Sequence, residues 1–196
     1  MGFWGKLFGG RSASDAQIPK TKREQEEQCF RAADAGDLAT IKTLLAHDPK
    51  LAFSKDSDGH TPLHLAALSG RLEVAKFLIS KKANLRAQDE IGWTPLHSAA
   101  RRYSAPMIEL LVASGADVNA KSRAGGTPLH MCDTVSVAAA LLTKGADINA
   151  RDNDGCTPLD LVVHEGQGHE AMINFLRERG GVEYISKPHN PFSHRK

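Results

Sequence analysis

The chain predicts an all-α solenoid of stacked helix-turn-helix modules joined by β-turn or hairpin loops, and three observations carry that prediction. The word Thr-Pro-Leu-His begins at Thr61, Thr94 and Thr127 and returns as Thr-Pro-Leu-Asp at Thr157, at intervals of 33, 33 and 30 residues. Two apolar helical stretches follow the word. Modules then close on a shared phrase, as in Gly115-Ala116-Asp117-Val118-Asn119-Ala120 and Gly145-Ala146-Asp147-Ile148-Asn149-Ala150. A unit this short cannot bury its own apolar face, so neighbours must stack into a continuous core, and function is to be sought on the surface.

Each part of the module has a physical reason. Thr61, Thr94, Thr127 and Thr157 suit helix N-caps, and Pro62, Pro95, Pro128 and Pro158 suit the first helical position. Leu63, Leu96, Leu129 and Leu159 then point inward. The pairs Ala66-Ala67 and Ala99-Ala100 allow close helix approach, and Gly70 can close the first helix in a left-handed conformation. The second helix runs through Val74-Phe77-Leu78 in one module and Ile108-Leu110-Leu111 in the next. An aspartate with a glycine three residues on, Asp89/Gly92 and Asp152/Gly155, is turn chemistry. Upstream, Ala32-Ala33-Asp34-Ala35-Gly36-Asp37 matches the middle of a module, but Glu27-Gln28-Cys29-Phe30 replaces the capping word, which marks an N-terminal cap.

The pattern resembles the ankyrin repeat, with several independent motifs per module. On that reading residues 1–26 are a basic, flexible N-terminal segment, residues 27–181 the repeat domain and 182–196 a C-terminal tail. The domain divides into a cap at 27–59 and repeats at 60–92, 93–125, 126–155 and 156–181. Two departures stand out. Aligning Gly145 with Gly115 leaves three residues missing between Asp133 and Thr134, so the first helix of that repeat should be short or broken, leaving a notch. Gln167-Gly168-His169-Glu170 runs about two residues long and should widen the last inter-helix loop.

The 196 residues are 41% hydrophobic and 24% charged, ordinary values for a globular chain. The net charge of +2 hides basic ends and an acidic repeat body, a poor platform for nucleic acid, which is not expected as a partner. Cys29, Cys132 and Cys156 are odd in number and lie in different modules, which fits a reducing, cytoplasmic location. In the first ten residues Phe3, Trp4, Leu7 and Phe8 can share a helical face beside Lys6, a candidate anchor at a membrane surface, although Gly2, Gly5, Gly9 and Gly10 weaken any helix there. A monomer is expected.

No catalytic residue is assigned. The resemblance implies that His64, His97 and His130 hydrogen-bond between adjacent loops. The stretch from His164 to His169 looks superficially like a zinc-hydrolase motif, but its histidines are five apart where helical chelation needs four, and no third ligand is identifiable. No phosphate loop, nucleophile elbow or dinucleotide fingerprint occurs. No enzyme, cofactor or metal is therefore expected, with a metal-dependent hydrolase a remote alternative to a scaffold, adaptor or regulator.

The resemblance further implies a concave partner-binding face made of hairpin tips, the residue before each capping threonine and the end of each first helix. These positions are Ser57, Asp58, His60, Leu68 and Ser69, then Glu90, Ile91, Trp93, Arg101 and Arg102. The later modules contribute Arg123, Ala124 and Gly126, then Asn153, Asp154, Cys156, His164 and Glu165. Ile91, Trp93, Arg101, Arg102 and Tyr103, with Arg123 nearby, combine the types enriched at binding hot spots and suit an acidic partner segment. On this expectation Trp93→Ala leaves the fold intact and weakens binding.

Overall fold

A computed structural model describes residues 21–101, 105–164 and 169–184. The described helices are α1 (Lys22–Ala35), α2 (Leu38–His47), α3 (Pro62–Leu68), α4 (Leu72–Ser80), α5 (Pro95–Arg101), α6 (Ala105–Ala113), α7 (Val135–Thr143), α8 (Pro158–His164) and α9 (Glu170–Glu178). Two 3₁₀ turns, Pro49–Phe53 and Pro128–Met131, complete the set, and no strand occurs among the described residues. Phe3, Trp4, Leu7 and Phe8 of the candidate anchor, and Arg102, Tyr103 and Glu165 of the expected binding face, lie outside the described residues.

An inner row stacks α1, α3, α5, the Pro128–Met131 turn and α8, and an outer row stacks α2, α4, α6, α7 and α9. Leu63, Leu96 and Leu129 are buried between the rows, and Ala66, Ala67, Ala99 and Ala100 are fully covered where α3 meets α5. The first helix of the third module is a single 3₁₀ turn, as its missing residues predict. α1 begins at Lys22, inside the stretch read as a flexible segment. It opens on a reciprocal box in which Thr21 Oγ1 accepts from Glu24 N at 3.2 Å and Glu24 Oε2 from Thr21 N at 3.2 Å.

Three ladders tie the modules together. His64, His97 and His130 donate from Nε2 to the carbonyl oxygens of Trp93, Gly126 and Cys156 at 3.0, 3.1 and 3.1 Å. Lys55 Nζ donates to Gln88 O, Gln88 Nε2 to Lys121 O and Lys121 Nζ to Arg151 O, at 2.7, 3.3 and 3.0 Å. Asn119 and Asn149 each donate to one backbone oxygen of the next module and accept one of its N–H groups. The stack ends on a change of chemistry, because Asp160 stands where the other modules have histidine. Its Oδ1 accepts Tyr184 N at 2.9 Å, so Asp160 receives a bond from the closing segment where histidine would donate one. Val182 and Tyr184, read from the sequence as tail, are thereby tied to the last two repeats.

Candidate partner-binding surface

The hairpins that carry this surface are built by aspartate. Asp56 Oδ1 accepts the N–H of Asp58 and His60 at 3.0 and 2.8 Å, and Asp89 Oδ1 those of Ile91 and Trp93 at 3.0 and 2.7 Å. One carboxylate oxygen thus fixes both arms of a four-bond turn. Gly92 completes the second turn at φ 80°, and a Cβ there would stand 2.5 Å from the backbone nitrogen of Arg123, so the two hairpins approach too closely for any side chain. Successive hairpins are joined by single backbone bonds, Glu90 N to Asp58 O at 3.0 Å and Arg123 N to Ile91 O at 3.1 Å.

The repeated histidines sit behind this surface in the core. Nδ1 of His64 accepts Thr61 N–H at 3.1 Å, which requires that nitrogen to be unprotonated and places the proton on Nε2, facing the Trp93 carbonyl. Thr61 Oγ1 lies 2.8 Å from the same Nδ1, and the arrangement recurs at Thr94/His97 and Thr127/His130. Burial holds His64 and His97 down at about 4, against an ordinary 6.5, and lowers His130. All three are neutral structural groups.

The expected contact residues separate into two sets. Ile91 projects from its hairpin tip with 52% of its surface exposed, Glu90 and Arg123 are exposed, and His60 is half-buried between Asp56 Oδ2 at 3.3 Å and Asp89 Oδ2 at 3.5 Å. Trp93 is different, being only 5% exposed. Its ring stacks on His97 with centroids 6.3 Å apart, and the half-buried Arg101 guanidinium lies 5.4 Å from its centroid. Trp93 supports the surface from beneath and presents little of itself, so truncating it opens a cavity that costs roughly 3–5 kcal/mol. The expectation that Trp93→Ala leaves the fold intact does not survive this burial. Of the last two modules, Cys156 is buried, His164 is exposed, and Asn153 Nδ2 is turned onto Arg123 O at 2.8 Å.

The thiols are equally withdrawn. Burial pushes Cys29 up to about 12 and Cys156 up to about 11, and raises Cys132 also. Among the described residues His164 and His169 join no group of three that could hold a metal. Asp56, Asp58 and His60 do lie close enough together, but the Asp56 carboxylate is already engaged in building its own turn.

A residue that sequence reasoning missed lies one loop away. Phe53, at the end of the Pro49–Phe53 turn, is 50% exposed and lines a cleft of about 680 Å³ with Arg86 and Arg123. Its signal was faint: Asp48-Pro49 is a helix stop, and the turn it starts carries Phe53 outward.

A family profile described as ankyrin repeats in three copies matches residues 29–122 and 104–187. The chain belongs to the ankyrin-repeat family, whose repeats are generally protein-interaction modules. It is 35% identical over 71 residues to human ankyrin repeat domain-containing protein 49, covering 36% of this chain and 30% of that protein. Rat ankyrin repeat and SAM domain-containing protein 6 is 35% identical over 72 residues, covering 36% and 8%. The Arabidopsis thaliana serine/threonine-protein kinase VIK is 33% identical over 90 residues, covering 41% and 20%. The chain thus spans less than a third of each of these relatives.

Proposed function

We propose that the chain is a non-catalytic scaffold, adaptor or regulator that binds a partner protein on the concave face, around Ile91, Arg101 and Arg123 with Glu90 and His60 at its edge. The observation that carries this is the exposed Ile91 at a rigid hairpin tip, its carbonyl fixed by Arg123 N at 3.1 Å. A large apolar side chain held out on ordered backbone, flanked by arginines, is the composition of an interface centre. The half-buried Arg101, its guanidinium 5.4 Å from the Trp93 ring centroid, places positive charge at this face. A non-catalytic role is supported by the histidines and cysteines: the repeated imidazoles are consumed in loop-to-loop bonds and the three thiols are buried.

The test compares tagged wild type with an Ile91→Asp/Arg101→Glu variant, matched for helicity and melting temperature, by recovering bound proteins from source lysate and identifying them by mass spectrometry. A partner recovered by wild type and lost from the variant is expected. Recovery of the same partners by both would remove the binding centre from this face.

A further inference from the structure

The cleft between the Pro49–Phe53 turn and the loop Asn84–Glu90 has a composition of its own. Its lining includes Phe53, Lys55 and Arg86, shares Glu90 and Arg123 with the proposed binding face and leaves out Ile91, Trp93 and Arg101, so it adjoins that face on the same hairpins. At about 680 Å³ it accepts a few side chains of a peptide. Phe53 gives it an apolar wall with half its surface uncovered. The charges around it are unequally committed. Asp56 and Asp89 each hold two backbone N–H groups and face His60, while Lys55 Nζ is fixed on Gln88 O at 2.7 Å. Arg86 and Arg123 meet no carboxylate among the described residues, and against them stands the exposed Glu90. Formal charge around the cleft is balanced, Lys55, Arg86 and Arg123 against Asp56, Asp89 and Glu90, and with Lys55 fixed on Gln88 O the cationic groups left to meet a ligand are the two arginines.

We infer that this cleft binds a peptide segment of a partner protein that carries a glutamate or aspartate beside a large apolar side chain. The carboxylate takes the Arg86 guanidinium in a forked pair, and the apolar side chain packs on Phe53. A carboxylate adds one negative charge to a lining whose formal charge is balanced, whereas a phosphate dianion would add two close to Asp56, Asp89 and Glu90. The inference rests on the reading of the chain as a protein-binding module and names the chemistry of its partner.

The test pans a phage-displayed library of random dodecapeptides on the full chain. Enriched peptides, fluorescein-labelled, are then titrated against wild type, Arg86→Gln, Arg86→Glu, Phe53→Asp and Ile91→Asp/Arg101→Glu. Both positions in the cleft are solvent-facing, and equal melting temperatures control for folding. The expected result is enrichment of acidic residues next to Leu, Phe or Trp, with affinity falling about tenfold or more for the Arg86 and Phe53 variants. Replacing the peptide's Glu by Gln should cost a similar factor, and replacing it by phosphoserine should not tighten binding. No enrichment, or equal affinity for the Arg86 and Phe53 variants, overturns the inference. Peptides that lose affinity only for Ile91→Asp/Arg101→Glu overturn the cleft while leaving the proposed function standing.

Discussion

The imidazoles of His64, His97 and His130 each hold two loops together, and each does so only while neutral. Protonating Nδ1 would turn an acceptor toward the N–H of Thr61, Thr94 or Thr127, replacing a bond with a clash of donors. Their folded values lie below the ordinary 6.5, at about 4 for His64 and His97, so between these limits the unfolded chain binds more protons than the folded one. Stability is then full above about pH 6.5 and is lost as pH falls toward 4, at up to roughly 1.4 kcal/mol per pH unit for each histidine. Urea unfolding followed by circular dichroism at pH 7.5, 6 and 5 should show the midpoint falling, and His97→Gln should flatten the slope. The word Thr-Pro-Leu-His was legible in the sequence, and its role as an inter-loop link came from the resemblance. Neither Trp93's burial nor Phe53's exposure was legible, because each depends on which neighbouring loop covers the ring.

At the scale of the element, the outer helices do not all end alike. The outer helices α6, α7 and α9 are followed by Gly115, Gly145 and Gly180 at φ 100°, 89° and 87°, while the same turn after α4 is made by Lys82 at φ 67°. The hydrogen bonds agree across the modules: Lys82 N to Ile79 O at 2.9 Å corresponds to Gly115 N to Val112 O at 3.0 Å. A left-handed lysine costs about 1–2 kcal/mol, and glycine's extra chain entropy offsets about 0.5–1 of the gain from replacing it. Lys82→Gly is therefore expected to stabilise the protein by about 0.5–1 kcal/mol, measured by urea denaturation. A loss of stability would mean that the Lys82 side chain contributes more than its backbone costs.

For the molecule as a whole, the third module is the weak joint. Ser122 replaces the hairpin aspartate and its buried Oγ has no partner among the described residues, and a 3₁₀ turn of 4 residues stands where α3 and α5 have 7. In a stack held by nearest-neighbour contacts, stability is close to a sum over modules and interfaces, so a poor module divides the array. Native-state hydrogen exchange should find Val135–Thr143 and Glu170–Glu178 opening at lower free energy than Leu72–Ser80 and Ala105–Ala113. Uniform protection across the four helices would mean that the joint transmits as well as the others.

The sequence by itself determined the period, the capping threonines and prolines, the turn aspartates and the shortening of the third module, because these are local requirements of backbone geometry that repeat at fixed spacing. Tertiary structure decided what lies between modules. It closed the stack with Asp160 accepting from Tyr184 N, placed Trp93 under Arg101 and left Phe53, Arg86 and Arg123 around one cleft. Those outcomes depend on which side chain of one module faces which backbone of the next. Residues about 30 positions apart in the chain meet there, and periodicity alone cannot say which of them are covered and which are left facing solvent.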